Sequence, residues 1–475
     1  MKEYDAIIIG TGQSGPALAG RLVVAGMKVA IVERKFFGGT CVNTGCMPTK
    51  TLVASAYAAH MARRAADFGV TIDGAIGVDM KAVKIRKDAV SARSRIGLEK
   101  WLKSLRGCTA YEGHARFVSA RLVLMGNELL KGRHIFVNVG GRALVPSIPG
   151  LDQVDYLTNS SMMDVDFVPK HLVIIGGSYI GLEFAQVYRR FGSEVTVIEL
   201  QPRLIQREDE DVSEAVTEIL KREGIDVHVN AKCLGVTKRG KDIVVSVDCT
   251  NGAAQVVGSH LLLAVGRRAN TDDLGLDKAG VAVDAKGFIQ VDDQLRTNVR
   301  GIWAMGDCNG RGAFTHTSYN DFEIIAANLL ENDPRRVTDR IPAYALYTDP
   351  PLGRAGMTEW EVRKSGKAAL IATIPMTEVG RAFEKGETEG FMKILVDKNT
   401  KQILGAAFLG LSGDEVIHCV LDLMYAKAPY TVMQRAMHIH PTVSELIPTM
   451  MSKLKPLQRL EQLSEVGSAK IAAAV

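Results

Sequence analysis

Apolar residues in this chain gather into short continuous runs, and two of these lead into clusters of glycine. The run AIII (6–9) enters GTGQSG, and the run LVII (172–175) enters GGSYIG. A run of this kind predicts a strand buried on both faces, as in a parallel sheet. Each glycine cluster is followed by a helix and then by a second strand, VAIVE (29–33) or VTVIE (195–199). Gly10 aligns with Gly176, Gly12 with Ser178, Gly15 with Gly181, Gly26 with Gly192 and Glu33 with Glu199, all at one offset of 166 residues. The chain therefore contains an internal duplication of a strand, glycine turn, helix and strand. Further on, FMKILV (391–396) and ILGAAFLG (403–410) read as apolar strands and DEVIHCVLDLMYAKA (414–428) as an apolar helix. That is more apolar surface than a lone small domain needs, so a C2 homodimer is expected.

The duplicated unit has a chemistry of its own. Glycines permit a tight turn, close approach of backbone to a pyrophosphate, and close helix–strand packing. The helix N-terminus offers unpaired N–H groups and the positive end of its dipole to phosphate. The acid closing the second strand accepts ribose hydroxyls. Two such units imply two dinucleotides, and the natural pair is FAD with NAD(P)H. Ser178 replaces the second glycine of the second copy; its small side chain stands beside the pyrophosphate and leaves the motif in place.

Composition narrows the picture further. At 475 residues the chain has room for about three domains. With 47% hydrophobic and 23% charged residues it is an ordinary globular protein, not a disordered or collagen-like one. The net charge of +5 is mild, and no dense Lys/Arg block points to a nucleic-acid or membrane partner. MKEYDAIIIG lacks the charge and length of a signal peptide, and no apolar run reaches the ~18–20 residues of a membrane span. The chain reads as cytoplasmic. No set of residues reads as a metal site.

Of seven cysteines, only Cys41 and Cys46 are close in sequence. In a reducing compartment such a pair reads as catalytic rather than structural. They lie in GGTCVNTGCMPTK (38–50). A helix beginning there would let the two sulfurs face one another across its first turn and close a disulfide. Its N-terminus would lower a thiol pKa, and Pro48 suits a first turn. Two buried free cysteines are the alternative. Cys308 reads as a small packing residue, and Cys108, Cys233, Cys249 and Cys419 as structural thiols.

GGTCVNTGCMPTK resembles the active-site segment of the class I pyridine nucleotide–disulfide oxidoreductases, a family that includes dihydrolipoamide dehydrogenase, glutathione reductase and mercuric reductase. TNVRGIWAMGD (297–307), AVGRRANT (264–271), YTDPPLGRAGMTE (347–359) and HIHPTVSELIPTM (438–450) extend the resemblance along nearly the whole chain. It implies an α/β fold of two Rossmann-like dinucleotide-binding domains and a C-terminal α+β dimerisation domain. The FAD domain would span 1–150, the NAD(P) domain 151–269, a return to the FAD or central domain 270–340, and the interface domain 341–475.

The resemblance also implies roles. Cys41 would be the thiol that meets substrate and Cys46 the thiol against the flavin. Lys50 would sit near the reactive flavin nitrogen, paired with Glu183, and Tyr179 would cover the nicotinamide pocket. His440, held by Glu445, would be the acid–base serving the other subunit. FAD would be held by Gly10, Gly12, Gly15, Glu33, Gly39, Thr40, Lys50, Asp307 and Thr315, the last at a helix start against the flavin's pyrimidine edge. The nicotinamide nucleotide would be held by Gly176, Ser178, Gly181, Glu199 and Gly266. A carboxylate at Glu199 favours NADH over NADPH, because the 2′-phosphate would meet a like charge, although Arg203 could turn outward to offset this. His438 reads as a satisfied histidine.

FTHTSYND (314–321) is closer in wording to mercuric-reductase-like proteins than to glutathione reductase. No cysteine follows Cys419 in the sequence, however, where mercuric reductase carries a metal-delivering pair, and no CxxC of the kind that many mercuric reductases carry in an N-terminal domain occurs within it. The expectation is a FAD-dependent NAD(P)H oxidoreductase of the mercuric-reductase-like branch, delivering electrons to a disulfide, a metal ion such as Cu(II), or another small acceptor. Dihydrolipoamide dehydrogenase is the alternative within the family. A non-catalytic flavoprotein binding module is the alternative outside it.

Overall fold

The structure, a computed structural model, describes residues 1–231, 234–248 and 255–458. Cys233 and Cys249 lie outside the described residues. The chain divides into two compact units, 1–170 with 235–244 and 257–340, and 171–234 with 245–256 and 341–475.

The first unit is built on a seven-stranded sheet. The strand Lys2–Ile9 lies at its centre, with Ala6, Ile7 and Ile8 wholly buried. It pairs in parallel with Val29–Glu33 on one side and Glu128–Val137 on the other. Cys108–Glu112 continues the parallel set beyond Val29–Glu33, and Ile302–Ala304 pairs in parallel with Glu128–Val137. Ala115–Ser119 and Leu122–Met125 close the sheet in antiparallel fashion. The continuous apolar runs are explained by this arrangement, since strands covered on both faces leave no position for a polar side chain. The helix Ser14–Val24 buries Leu18, Ala19 and Leu22 as one apolar face, and the chain leaves it through Gly26 at φ +83°. The long helix Met80–Ser104 starts at Asp79, whose carboxylate accepts from the N–H groups of Lys81 (3.0 Å) and Ala82 (3.1 Å). No described helix is long and apolar enough to cross a membrane.

The second unit repeats the motif. His171–Ile175 and Glu194–Ile198 pair in parallel, joined by the helix Tyr179–Phe191, and Asp226–His228 extends the sheet. The helix Glu210–Arg222 opens on Glu210 and Asp211 and closes on Lys221 and Arg222, charges that suit its dipole at both ends. Residues from 341 onward form a six-stranded antiparallel sheet in the order Ala343–Leu346, Leu352–Gly356, Ile403–Leu409, Phe391–Asp397, Ala369–Pro375, Lys455–Pro456. The helix Gly413–Tyr425 packs Ile417 and Val420 into the core on this sheet. The fold is mixed α/β, as expected.

One buried cation ties the nucleotide-motif half of this unit to its antiparallel half. Arg190 makes a two-pronged contact with Glu223 (2.9 and 2.7 Å) and donates to Asp349 (2.7 Å) while itself only 6% exposed. Removing one partner of a buried ion pair leaves the others uncompensated, at a cost of about 3–5 kcal/mol. Because Glu223 and Asp349 keep some solvent contact, we expect Arg190→Ala to destabilise by about 3 kcal/mol. Urea unfolding followed by fluorescence checks this; a loss under about 1 kcal/mol would show that the carboxylates rehydrate freely.

Candidate active site

The first glycine turn is shaped by side chains as much as by its glycines. Gly10 adopts φ +105°, and a Cβ there would run into the carbonyl of Asn138. A Cβ on Gly15 would meet the Asn138 amide nitrogen at 2.7 Å, and one on Gly39 would meet Gly12 Cα at 2.9 Å. These are the close approaches that only glycine permits. Glu33 Oε2 accepts from Thr11 N (3.0 Å) and Thr11 Oγ1 (2.6 Å), and its Oε1 accepts from Lys35 N (2.9 Å). Asn138 donates to the carbonyls of Gly10 (3.3 Å) and Gly12 (3.2 Å) and accepts from Ser14 Oγ (2.8 Å). Asn138 belongs to no motif that sequence reading uses. Its signal is only its place after the apolar IFV of the strand Glu128–Val137.

The second turn repeats this construction with one exchange. Glu199 Oε2 accepts from Gly177 N (2.7 Å) and Oε1 from Gln201 N (2.9 Å), the counterparts of the Glu33 bonds at the same offset. A Cβ on Gly177 would meet Glu199 Cβ at 3.0 Å. The close approach in this copy thus falls on Gly177, beside Gly176 at φ +115°, which accommodates serine at 178. Ser178 precedes the helix Tyr179–Phe191 as its N-cap, yet its hydroxyl caps nothing. The first N–H groups of the helix are thus left to a phosphate, and Gly181 is buried within the first turn. Arg203 donates to the carbonyl of Glu208 (3.2 Å), so the outward turn that would offset Glu199 is not the one it takes. Glu183 is buried in the same helix and accepts from Tyr347 N (3.2 Å).

The cysteine pair departs from the expected geometry in one respect. Cys41 does not share a helix with Cys46. It lies in the short helix Gly39–Asn43, and Cys46 opens a new helix, Cys46–Arg63, after Thr44 and Gly45. The break is what brings the sulfurs together. A Cβ on Gly45 would stand 2.8 Å from the Thr40 carbonyl and 3.2 Å from Cys41 Cα, so the chain can fold back this tightly only because residue 45 is glycine. The two side chains are hydrogen-bonded to one another as thiols and not joined as a disulfide. The hydrogen bond with Cys46, and then burial, push the Cys41 thiol well above its ordinary range. The expected lowering therefore does not apply to Cys41; the helix N-terminus belongs to Cys46. Pro48 is buried in the first turn, and Lys50 lies one turn on from Cys46 along the same face.

Thr315 opens the helix Thr315–Ala326, and its hydroxyl stands 3.1 Å from Cys46 Sγ. Asp321, later in that helix, is 2% exposed and accepts from Gly306 N (2.7 Å) and Asn309 Nδ2 (2.9 Å), which binds the turn carrying Asp307 to the helix carrying Thr315. Burial pushes the Asp321 carboxyl up against the pull of Arg340, which bonds its other oxygen. Asp307 accepts from Arg267 Nε (3.2 Å), just after Gly266 at φ +126°. In the second unit, Glu445 Oε2 lies 2.8 Å from His440 Nδ1, and the imidazole is 82% exposed. His438 is occupied by the Ser444 carbonyl (2.7 Å). Burial pushes the thiols of Cys108 and Cys419 up to about 11 and that of Cys308 up to about 12, as befits packing residues.

These donor sets suit two dinucleotides: each unit offers a glycine cradle that a Cβ would fill and a carboxylate fixed beside it. The geometry also yields an expectation for Gly45. Gly45→Ala should keep FAD and nicotinamide nucleotide binding while slowing dithiol turnover at least about tenfold, since a shift of a few tenths of an ångström separates the sulfurs. Flavin content and steady-state rate, measured together, check this; a fully active Gly45→Ala would contradict it.

Comparison with known proteins agrees with the geometry. Residues 4–321 match the family described as pyridine nucleotide-disulphide oxidoreductase, and residues 342–451 match its dimerisation domain. The chain is 34% identical to the probable pyridine nucleotide-disulfide oxidoreductase RclA of Escherichia coli, covering 96% of this chain and 100% of that protein. A solved structure titled as the Cu(II) complex of the HOCl-induced flavoprotein disulfide reductase RclA superposes with a TM-score of 0.87 at 33% identity, covering 95% of this chain and 99% of that one. Identity is 32% both with mercuric reductase of Streptomyces lividans (94% of each chain) and with dihydrolipoyl dehydrogenase of Thermus scotoductus (94% of this chain, 96% of that one). The chain belongs to the pyridine nucleotide–disulfide oxidoreductases, FAD-dependent enzymes that use NAD(P)H.

Proposed function

We propose that this protein is an NADH oxidoreductase whose Cys41–Cys46 pair carries two electrons to a metal ion, with Cu(II) as the acceptor class. The observation that carries the reading is the folding-back at Gly45, which sets two thiols side by side at a helix start with Lys50 one turn on. The full-length likeness to RclA, a protein solved in complex with Cu(II), favours the metal branch, and thiolates are the ligands that copper in its reduced state prefers.

FAD, when bound, supplies the two-electron step between nicotinamide and dithiol. The chain's residues do the rest. Gly10, Gly12, Gly15, Gly39 and Thr40 let the backbone approach the FAD pyrophosphate, Glu33 takes the adenosine ribose and Asp307 the ribityl chain. Gly176, Ser178, Gly181 and Gly266 receive the nicotinamide nucleotide. Lys50, one turn on from Cys46, would place positive charge where the reduced flavin develops negative charge, and the start of the Thr315 helix would do the same at the pyrimidine edge. Cys46, hydrogen-bonded to Thr315, would be the thiol that meets the flavin, and Cys41 the one that meets the acceptor. Two Cu(II) ions take one electron each from the dithiol. The S–S bond forms, two Cu(I) ions leave and two protons are released. His440 of a second copy, oriented by Glu445, takes the proton of Cys41. That same histidine–carboxylate pair suits thiol–disulfide exchange, so dihydrolipoamide is the acceptor to test beside copper.

With NADH as donor, Cu(II) should be turned over faster than lipoamide, glutathione disulfide or Hg(II). Cys46→Ser should keep FAD yet lose dithiol turnover, and Cys41→Ser should keep a thiolate absorbance band while losing turnover; full activity of both would remove the dithiol from the pathway. NADH should exceed NADPH by at least about tenfold in kcat/KM through like-charge repulsion at Glu199, and Glu199→Ala should narrow that gap mainly by improving NADPH. A wild-type preference for NADPH would contradict this. The protein should sediment as a homodimer at assay concentration, and an active monomer would show that His440 acts within its own chain or not at all.

A further inference from the structure

Glu208 lies outside both dinucleotide motifs, yet its side chain is wholly buried and its surroundings are specific. One oxygen, Oε1, accepts from two phenols at once, Tyr179 (2.9 Å) and Tyr344 (2.7 Å). The two rings meet edge to face, 5.6 Å apart at 81°. The other oxygen stands 3.6 Å from Nη1 of Arg354, which is 1% exposed. Arg354 is held in turn by Asp209 (3.3 Å), and Asp209 by Lys393 (3.1 Å). The carboxylate is thus bonded by the two phenols on one oxygen and faces a buried guanidinium with the other. Burial, and then the nearby Glu208 charge, push both phenols up, so they remain donors at neutral pH.

Tyr179 is the first residue of the helix after the second glycine turn. A ring that covers the nicotinamide pocket has to leave its rest position before a nicotinamide can enter. Leaving breaks the bond to Glu208. A buried carboxylate that lost its only donor would be left costly and unsatisfied. Here Tyr344 stays on the same oxygen and Arg354 stays beside the other, so the departure leaves no stranded charge. The shared acceptor makes the contact strong enough to hold and cheap enough to release.

We propose that Glu208 and Tyr344 are positioning residues that latch Tyr179 over the nicotinamide pocket and so set the affinity for the nucleotide. The latch rests on the proposed function and on the role of cover that the family resemblance implies for Tyr179. It acts through that ring alone and touches neither the nucleotide nor the dithiol. The two tyrosines compete for one oxygen, which gives the latch a signature: loss of the Tyr179 hydroxyl loosens it, and loss of the Tyr344 hydroxyl tightens it.

The test is calorimetric titration of the FAD-loaded protein with NAD+, with the KM for NADH alongside. A charge-assisted hydrogen bond exceeds a neutral one by enough to change binding about fivefold. Tyr179→Phe and Glu208→Gln should each lower the Kd for NAD+ by about fivefold, and the double variant should bind no more tightly than Tyr179→Phe alone. Tyr344→Phe should raise the Kd by a few-fold. A purely structural role predicts weaker binding and a lower melting temperature in all the variants. An unchanged Kd in Tyr179→Phe, or a Tyr344→Phe shift in the same direction as Tyr179→Phe, overturns the latch. Should Glu208→Gln fail to fold, the two tyrosine variants decide the matter between them. If the wild type binds no NAD+ and oxidises no NADH, the reading of the site itself falls, and the latch with it; normal wild-type binding with an unresponsive Tyr179→Phe sinks the latch alone.

Discussion

Each dinucleotide turn in this protein is fixed by a carboxylate that closes the following strand and reaches back to a backbone N–H. Glu33 does this to Thr11 and Glu199 to Gly177, and each carboxylate also takes the N–H two residues beyond itself. The bond sets how far the turn can open, and therefore where the helix after it begins. An acid at this position has two tasks: it shapes the turn from within, and it presents charge to whatever ribose lies beside it. Both copies meet the constraint with the same residue but different neighbours. The first adds the Thr11 hydroxyl and the Asn138 amide; the second places glycine where the first has threonine. A charge at position 199 is thus part of the fold, whatever nucleotide lies beside it.

The dithiol depends on the same economy of close approach. Asn138 and Ser318 both contact Ser14, so the first turn and the Thr315 helix are tied through one hydroxyl, and Thr315 in turn meets Cys46. Asp321 fastens the Asp307 turn to that helix from the other side. The parts that would hold FAD and the thiol that would meet it are thereby members of one hydrogen-bonded set in the first unit. In such a set the sulfur's position is inherited from the turn, and small displacements at either end are shared.

Much of this was legible in the sequence because it is local. The offset of 166 residues, the apolar runs and a helix beginning near the cysteine pair follow from short stretches with strong periodic or chemical signals, and the family resemblance supplied the pairing of His440 with Glu445. What escaped is what needs distant residues. Asn138 is one polar residue after an apolar strand. The role of Gly45 shows only when Thr40 and Cys41 are seen against it. The cluster of Tyr179, Glu208, Tyr344 and Arg354 draws on four separate segments, and nothing in REDED or in YTDPPLGRAG signals that its charges are buried together. Arg203 looked free to face outward, but the carbonyl of Glu208 takes its guanidinium. The separate helix of Cys41 is a similar case: spacing fixes that two sulfurs can meet, whereas the break at Thr44 and Gly45 decides how.

The central claim is that electrons from nicotinamide come to rest on Cys41 and Cys46. The most direct measurement adds one equivalent of NADH anaerobically to the oxidised, FAD-loaded protein, quenches with an alkylating agent and counts labelled cysteines by peptide mass spectrometry. The account predicts two new labels per chain, at Cys41 and Cys46, while Cys108, Cys308 and Cys419 are unchanged. Oxidation of NADH with no change in the labelling of Cys41 and Cys46 would contradict it.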